Sequence, residues 1–550
     1  MEIARASAAE RDAALARFID ELVAEIEPLH RRHNEAVWLA NVTGDPAHEQ
    51  ESARLDARIR TVFSRREPFE FLRATAAAGG VADPRLARQL MLLLHSHQAN
   101  QNSPERIERM VQLEKKLESR FNNYRAELDG RRVGDNELRE ILHDSQDVAL
   151  RRRAWEASKQ IGAEVVDDLR ALVRLRNESA RDLGFENYYS MMLVLDELDE
   201  GELFALFDDL DRGTRAIFER YMASLGGHLA RRFGTTRDAL RPWHYADPFF
   251  QEAPAAEVDL DPWFADGDIE ARTSRFFTAI GLEVDDLLAR ADLYEKPGKS
   301  QHAFCMSVDR GDDIRVLCNL RPNEFWMGVM LHEFGHAVYD KYIDRSLPFV
   351  LRAPAHTLTT EASAMLFGRL SKNAAWLERY ASVPRDEARR LARVCRRATS
   401  AQLLVQTRWE LVMCTMERAL YRDPEQDLDT LWWDLVERYQ WVTRPEGRRA
   451  PDWASKIHFS VAPVYYHNYQ LGEIMASQLQ RHLEREVLGG ADDVEARYVA
   501  SPEVGRWLRL HVYGPGKSAD WRGTIERATG EPLNVAAFVA ELEEATDAAT

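Results

Sequence analysis

NEFWMGVMLHEFGHAVYDKY, residues 323–342, is the stretch on which the interpretation of this chain depends. Asn323 follows a proline and is typical of a helix start, because its side chain can accept a hydrogen bond from a first-turn amide. No proline follows before Tyr342, and apolar residues recur at the three- and four-residue spacing of a helix. These are Phe325, Val329, Met330, Phe334, Val338 and Tyr342. The stretch therefore predicts a mostly buried helix.

Two histidines of this helix, His332 and His336, are four residues apart and share one helix face. Both imidazoles can then reach one metal ion, and Glu333 is close enough to take a proton from a water molecule at that ion. A single buried histidine is more often a core residue satisfied by its neighbours. A pair with a glutamate between them favours a metal site, and we predict one zinc ion here.

A third ligand is expected from a second element, because catalytic zinc takes three protein ligands and keeps one open position. Downstream of His336 the chain is broken at Pro348 and Pro354. Thr359 or Thr360 can then cap a new helix and place Glu361 in its first turn, where the helix dipole favours a carboxylate. We predict Glu361 as the third ligand.

Two alternatives to a ligand role for Glu361 stay open. A glutamate at a helix start is common for electrostatic reasons alone. His356 is the competing ligand and would complete a site of three histidines. Asp340 and Asp344 lie too close to the pair along the first helix to complete the shell.

The pattern His-Glu-x-x-His, followed about one helix later by Glu, resembles the zinc site of the gluzincin peptidases. Within that group the chain looks like the angiotensin-converting enzyme family, with the thimet oligopeptidase and oligoendopeptidase family as a near neighbour. Leu347-Pro348 and Leu351-Arg352 resemble the first family, whereas Lys296-Pro297-Gly298-Lys299 and Ala303-Phe304-Cys305 are more similar to the second. The resemblance is strongest over residues 296–370 and 456–476.

The resemblance implies a mainly α fold: a large two-lobed helical metallopeptidase with a deep central channel and a small β-hairpin beside the zinc site. Residues 1–550 would form a single catalytic domain, with a helical lobe over roughly 1–240 and the zinc-binding part over roughly 290–480. The first half of the sequence agrees, since it predicts long helices up to the most irregular stretch of the chain, at roughly 241–267. The expected helices are Ala9 to Glu27, ending before Pro28, Ser103-Pro104 to about Leu128, Arg151 to Leu183, and Glu202 to Arg232.

Residues 305–309 and 314–318 alternate in polarity around Arg310-Gly311-Asp312-Asp313, which is typical of a β-hairpin. In the resembled families an edge strand here pairs with the substrate backbone, a sequence-tolerant way to bind peptides. Cys305 and Cys318 could be neighbours across the hairpin, and converting enzymes have a comparable disulfide. Two reduced buried thiols are the alternative, which is typical of a cytosolic protein.

A late segment carries candidate substrate contacts. Amide hydrolysis builds negative charge on the carbonyl oxygen, which a phenol or an imidazolium can stabilise. By resemblance His458, Tyr466 and Tyr469 have this role, with Tyr465 as the substitute for Tyr466. Lys456 matches a lysine that holds the substrate's C-terminal carboxylate, and Tyr466 is expected to hold this carboxylate with it. The alternatives are an aromatic loop packed in the core and a solvated lysine.

Two positions depart from the converting-enzyme pattern. Met365 stands four residues after Glu361, where those enzymes have an acidic residue that supports a zinc-binding histidine. Asn468 stands between the paired tyrosines, where those enzymes have an arginine that helps to hold chloride. The support of the metal ligands and any chloride activation are therefore expected to differ.

The composition limits partners and location. The formal net charge of −18 argues against nucleic acid and anionic membranes as partners. No stretch approaches the apolar length of a membrane helix. Met1-Glu2-Ile3-Ala4-Arg5 does not resemble a secretory signal, and the chain has four cysteines, so we expect a cytoplasmic protein.

The sequence thus predicts metal-assisted hydrolysis of short peptides, with release of C-terminal dipeptides as the expected specificity. Internal cleavage, as in the oligoendopeptidases, is the first alternative. A zinc-dependent peptide-binding protein without turnover is a second, although the intact Glu333 argues against it. A peptidase-derived enzyme acting on a specialised metabolite or precursor peptide is a third.

Overall fold

The computed structural model describes residues 7–254, 258–490 and 493–547. The chain is 71% helical and has two small antiparallel sheets of two strands each among these residues, so the mainly α prediction is confirmed. Met1–Arg5, on which the absence of a signal was judged, lies outside the described residues, as do residues 255–257 of the irregular stretch. Within the described part, no helix combines the length and the apolar character needed to span a bilayer.

Twenty-two α-helices and four strands follow one another along the described chain. Before residue 102 these are α1 (Ala8–Thr43), α2 (Pro46–Phe63), α3 (Arg66–Ala78) and α4 (Pro84–Ala99). Up to residue 257 they are α5 (Pro104–Asn123), β1 (Ala126–Leu128), β2 (Arg131–Val133), α6 (Asp135–Asp144), α7 (Val148–Asp182), α8 (Tyr188–Leu195) and α9 (Glu200–Arg232). Up to residue 380 they are α10 (Ile269–Ala279), α11 (Asp285–Leu288), β3 (Phe304–Ser307), β4 (Ile314–Leu317), α12 (Glu324–Tyr342), α13 (Thr357–Gly368) and α14 (Ala374–Tyr380). The remainder are α15 (Arg385–Arg422), α16 (Leu428–Gln440), α17 (His458–Val461), α18 (His467–His482), α19 (Val494–Tyr498), α20 (Pro502–Leu508), α21 (Trp521–Thr529) and α22 (Ala536–Asp547).

The chain divides into two compact units, each assembled from separate segments. The first takes residues 1–101, 258–395 and 471–538, and the second takes 102–257, 396–470 and 539–550. Residues 1–240 therefore contribute to both units. The single domain, the two lobes and the channel expected from the resemblance stay predictions.

In the first unit, α1 to α4 form one apolar cluster with the 3₁₀ turn Phe349–Leu351. A second part of this unit is organised around α12, which packs against α13, the β3–β4 hairpin and α10. In the second unit, α7 packs against α5, α6 and the β1–β2 hairpin. The β3–β4 hairpin is therefore held beside helix α12, which carries the two predicted histidine ligands.

Helices α7 and α9 begin within three residues of the predicted starts, because Asp147 and Asp199 cap them. The Asp147 side chain accepts hydrogen bonds from the amides of Ala149 and Leu150, and Asp199 accepts one from Glu202. Such caps satisfy amides that have no partner in the helix. The irregular stretch contains two of the structure's 3₁₀ turns, at Pro242–His244 and Asp261–Trp263.

Two predicted helix ends are wrong. Helix α1 continues through Pro28 to Thr43, because the loss of one amide donor is outweighed by packing of its second half, where Ala36 and Trp38 are buried. Helix α5 ends at Asn123 rather than near Leu128. Its predicted end forms strand β1, joined to β2 by Asp129 and Gly130 at φ angles of 52° and 78°. An Asp-Gly pair in that conformation favours a two-residue hairpin turn.

The predicted hairpin at residues 305–318 is present as β3 and β4. Its register pairs Cys305 with Val316, so Cys318 lies beyond the paired residues and does not face Cys305. Both thiols are free. The structure therefore agrees with two reduced thiols and not with the disulfide that the resemblance suggests.

A buried lysine in the second unit leads to a stability prediction. The Lys159 side chain is 4% exposed, and its ammonium lies 3.2 Å from the ring centre of Phe249 and 5.5 Å from that of Trp155. Burial lowers the pKa of Lys159 to about 7, although Asp452 and Asp247 act in the other direction. Arg448 already forms two hydrogen bonds with Asp452, at 2.6 and 2.7 Å, so that carboxylate is engaged elsewhere.

We expect Lys159→Met to raise the free energy of unfolding by about 2 kcal/mol at pH 6, because a buried ammonium is replaced by an apolar chain of similar length. The lowered pKa means that the unfolded wild type binds more protons than the folded one between pH 7 and pH 10.5. Wild-type stability therefore rises across this window, and the advantage of the variant shrinks as it does so. Urea titrations at pH 6 and pH 10 measure this; a less stable variant at pH 6 would show that the ammonium is well compensated.

Candidate metal centre

Helix α12 begins where the sequence predicts. The Asn323 side chain accepts a hydrogen bond from the Trp326 amide at 3.0 Å and caps the first turn. Phe334 and Val338 are fully buried, but Phe325 is 64% exposed, so its predicted burial is wrong. At about 100° per residue, Phe325 lies on the side of the helix opposite Phe334. That is the side on which His332 and His336 stand.

The two histidines lie one above the other on α12, with ring centres 4.9 Å apart. Their side chains are 31% and 17% exposed, so ligands can reach them from one side. His336 Nδ1 lies 2.8 Å from the Thr360 hydroxyl, which fixes the ring and leaves Nε2 free to bind a metal. Burial lowers the pKa of His332 to about 4 and that of His336 to about 3, so both rings are neutral at pH 7, as metal binding requires.

Helix α13 brings Glu361 to the same point. Its Oε2 atom lies 3.9 Å from His332 Nε2 and 4.0 Å from His336 Nε2. The predicted cap of this helix is wrong, because α13 begins at Thr357 and Glu361 stands in its second turn. The cap is His356, whose Nδ1 accepts the Leu358 amide at 3.0 Å. This hydrogen bond occupies Nδ1 of His356, the residue considered above as the competing metal ligand.

Close helix packing holds Glu361 beside the histidines. A Cβ on Gly335 would lie 2.6 Å from the Ala364 Cα, so only glycine allows α12 and α13 to approach this closely. The Ser363 hydroxyl reinforces the contact by donating to the Gly335 carbonyl at 2.8 Å. A Cβ on Gly472 of α18 would lie 2.9 Å from the Glu361 Cβ, so this helix also packs against the ligand.

The donor set fits zinc. One ligand atom from each of His332, His336 and Glu361 can be chosen so that all three lie within 4.8 Å of one another, and this is the one such group among the described residues. Two imidazole nitrogens and one carboxylate oxygen are the ligands of many catalytic zinc sites. With bonds of about 2.0–2.1 Å to the ion, the three groups need to move inward by only a few tenths of an ångström.

Glu333 lies next to this group and is almost excluded from water, with 7% exposure. Its carboxylate accepts a hydrogen bond from the Cys305 backbone amide on β3, which orients it against the hairpin. Burial and then the charge of Glu361 raise the pKa of Glu333 to about 8. A divalent cation at the three ligands would favour the ionised form, because it replaces a repulsive charge by an attractive one.

Lys456 belongs to the second unit and is buried among aromatic rings. Its ammonium donates to the Gln251 side-chain oxygen at 2.8 Å and lies about 5 Å from the ring centres of Phe249 and Trp409, at 5.2 and 5.0 Å. Burial lowers the pKa of Lys456 to about 8, so the group is still mainly charged at pH 7. Its hydrogen-bond partner is neutral, and Asp247, Asp135 and Glu252 are the acidic groups that act on its charge.

The aromatic residues that follow form one cluster in the same unit. Ring centres are 5.1 Å apart for His458 and Tyr466, 5.5 Å for Tyr466 and Tyr469, and 5.3 Å for Tyr465 and Tyr469. The Tyr466 hydroxyl accepts from the Trp409 indole at 2.7 Å, which leaves its own proton for another acceptor. Burial lowers the pKa of His458 to about 4, so it would donate as a neutral imidazole rather than as the imidazolium considered from the sequence.

The two residues that depart from the converting-enzyme pattern, Met365 and Asn468, each make defined contacts in the structure. Met365 lies against the Cβ position of Gly472, with its sulfur 3.1 Å away, and fills the space beside Glu361 with an apolar group. The second histidine is supported by Thr360 instead of an acid. Asn468 is buried, and its side-chain nitrogen donates to the Tyr465 carbonyl at 3.2 Å. It therefore stabilises the start of α18 and brings no positive charge.

Comparisons with known proteins find metallopeptidases in two parts of the chain. Residues 9–236 match the family model for angiotensin-converting enzyme, and residues 415–546 match that for carboxypeptidase Taq (M32) metallopeptidases. Carboxypeptidase 1 of Bacillus subtilis (strain 168) is 25% identical over 266 residues, which is 42% of this chain and 50% of that protein. The chain thus aligns with about half the length of this curated relative. Neither family match includes the three candidate ligands.

Several residues of the site could not be singled out from the sequence. The contacts of Gly335, Thr360 and Gly472 are with residues on other helices. The identity of a residue in the sequence does not reveal such a contact. In the second unit, Glu417 and Val464 form another contact between residues that are distant in sequence. The Glu417 carboxylate accepts the Val464 amide at 2.8 Å, and Val464 has a φ of 56°, an uncommon conformation for a β-branched residue.

Proposed function

We propose that this protein is a zinc metallopeptidase that acts at the free carboxyl end of short peptides. The observation that carries the proposal is the convergence of His332, His336 and Glu361, with the buried Glu333 beside them. A site that only bound zinc for stability would be closed by a fourth protein ligand. Here a base stands next to three ligands. The similarity to two metallopeptidase families supports the same conclusion.

Zinc held by these three side chains would supply Lewis acidity to the scissile carbonyl. Glu333 takes a proton from the attacking water and later delivers it to the leaving amine. Its hydrogen bond from the Cys305 amide leaves one carboxylate oxygen for this exchange. The neutral state of both histidines means that no proton must be displaced from them at pH 7 before the ion binds.

Tyr469, assisted by His458, is proposed to stabilise the negative charge that develops on the carbonyl oxygen. Tyr466 keeps a free hydroxyl proton because its oxygen accepts from Trp409. These roles, and that of Tyr465 as the substitute, stay proposals.

Lys456 is proposed to bind the C-terminal carboxylate of the peptide. This role is supported by the charge of the buried ammonium group and by its neutral hydrogen-bond partner Gln251.

Release of a C-terminal dipeptide, expected from the sequence, is the first form of this activity. Removal of a single residue is the second, favoured by the match of residues 415–546, which contain Lys456, to the carboxypeptidase Taq family and by the similarity to Carboxypeptidase 1. Peptide substrates, a cytoplasmic location and the absence of nucleic acid partners stay predictions.

We expect Lys456→Met to lower kcat/KM for a free-acid peptide by about 30–100-fold, because a charged hydrogen bond to the carboxylate is lost. For the same peptide with a C-terminal amide the wild type should already be slow, and the substitution should change little. Mass spectrometry of the products measures both rates and also distinguishes loss of two residues from loss of one. Internal cuts that are indifferent to amidation would assign the chain to endopeptidases and remove Lys456 from the site.

A further inference from the structure

The segment that leads into the proposed oxyanion-stabilising tyrosines has an unusual backbone. Val464 immediately precedes Tyr465 and has a φ of 56°, in the left-handed region. A β-branched side chain is crowded there, and such residues persist only when their surroundings impose the conformation. The Val464 side chain is also 7% exposed, so it is fixed inside the fold. The turn between α17 and α18 is therefore maintained by groups other than its own backbone preference.

One of these groups is Glu417 of α15, whose side chain is 4% exposed. Its Oε1 atom accepts the Val464 amide at 2.8 Å. Burial raises the pKa of Glu417 to about 8, so its carboxyl group is mainly protonated at pH 7. Burial of an acid to satisfy one backbone amide costs free energy. A glycine at position 464 would adopt the same φ without strain.

The beginning of the segment is held by a buried guanidinium group. Arg176 of α7 is 3% exposed and donates to the Ser460 carbonyl at 2.8 Å and to the Phe459 carbonyl at 3.4 Å. Its other bonds go to the Tyr421 hydroxyl at 3.0 Å and to Glu114 at 2.8 Å. Carbonyls at one end and an amide at the other are thus fixed by two buried side chains of the same unit.

We propose that Glu417 is a positioning residue: through the Val464 amide it holds the strained turn that sets the orientation of Tyr466 and Tyr469. This inference rests on the proposed function, in which those tyrosines contact the substrate. Glu417 itself touches the backbone of the turn. Its effect on hydrolysis is therefore indirect and should appear in kcat rather than in zinc binding.

The test compares Glu417→Leu, which removes the acceptor, with Glu417→Gln, which keeps a carbonyl oxygen for the Val464 amide. We expect Glu417→Leu to lower kcat by about 100-fold, since a displaced catalytic group costs this much, with KM and zinc content unchanged. Glu417→Gln should retain kcat within about threefold. Val405→Ala, a change of another buried side chain about three turns earlier on α15, is the matched control and should keep kcat.

A second substitution that restores activity distinguishes an effect on the turn from a general loss of packing. Glycine adopts positive φ without strain, so Val464→Gly added to Glu417→Leu should recover at least about tenfold of the lost kcat. Hydrogen exchange of peptides covering residues 458–470 gives a readout independent of activity. Exchange there should be faster in Glu417→Leu than in the wild type and close to wild type in Glu417→Gln.

An unchanged kcat in Glu417→Leu would overturn the inference, and so would a double variant that is less active than the single one. Equal loss in Glu417→Gln and Glu417→Leu would show that the carboxyl group itself, and not the bond to the Val464 amide, matters, and would also overturn it. If the zinc-loaded wild type cleaves no peptide, the proposed function fails. The exchange data then decide on Glu417: unaltered exchange in Glu417→Leu overturns the holding of the turn, and faster exchange supports it.

Discussion

Replacement of Glu333 by glutamine is expected to leave zinc bound and to reduce peptide hydrolysis by about 1,000-fold or more, the size of a lost general base. Glutamine has nearly the same shape, and its carbonyl oxygen can still accept the Cys305 amide, so the helix and hairpin should be unchanged. It cannot accept the proton of the attacking water. Zinc content by mass spectrometry of the metal, together with kcat on a short peptide, measures the two effects separately.

Glu324→Gln is the matched control, because Glu324 lies on the same helix and accepts from the Ser371 hydroxyl at 2.6 Å, away from the histidines. It should retain nearly full activity. A zinc-loaded Glu333→Gln protein that hydrolyses peptides at the wild-type rate would remove Glu333 from the chemistry.

Gly335→Ala is expected to have the largest effect on the architecture of the site. The new methyl group would lie 2.6 Å from the Ala364 Cα, and backbone cannot move aside as a flexible side chain can. The helices that carry His336 and Glu361 must separate. We expect the free energy of unfolding to fall by about 3 kcal/mol and zinc affinity to fall by about tenfold or more.

Gly328→Ala, on the same helix, is the control for this substitution. There the nearest atom is the Ser371 hydroxyl at 3.1 Å, which can rotate, and alanine is the better helix former. Urea unfolding and competition with a zinc indicator measure both variants. If the two alanines had the same effect, the packing of α12 on α13 would not be what holds the ligands together.

The candidate ligands could be predicted because their geometry is local or chemically typical. His332 and His336 are related by one helical turn, and Asn323 caps the helix through its own side chain. Glu361 could be chosen only by its residue type and its distance along the chain. The helix that carries it begins earlier than predicted, because His356 can cap through a ring nitrogen.

The errors have a common cause in contacts that the sequence does not reveal. Proline usually ends a helix, but the burial of Trp38 carries α1 past Pro28. Phe325 repeats the helical spacing of apolar residues, and yet it lies on the side of the histidines. The buried ammonium of Lys159 and the bond between Glu417 and Val464 depend on residues that are distant in sequence and belong to other elements.

The family matches and the sequence motifs emphasise different parts of the chain. The converting-enzyme match lies over residues 9–236, where the sequence itself predicts only long helices. The ligands His332, His336 and Glu361 lie between the two matched regions. The metal centre is therefore supported by the geometry of these three residues, and the matched regions support the class of enzyme independently.

The most direct test of the proposed function is mass-spectrometric product mapping of one short free-acid peptide. The wild type loaded with zinc, the same protein after chelation, and zinc-loaded Glu333→Gln are compared side by side. The proposal predicts a product shortened at its carboxyl end only with the zinc-loaded wild type, formed more slowly when the peptide is amidated. An intact peptide after incubation with protein containing one zinc per chain, or equal products from Glu333→Gln, would contradict it.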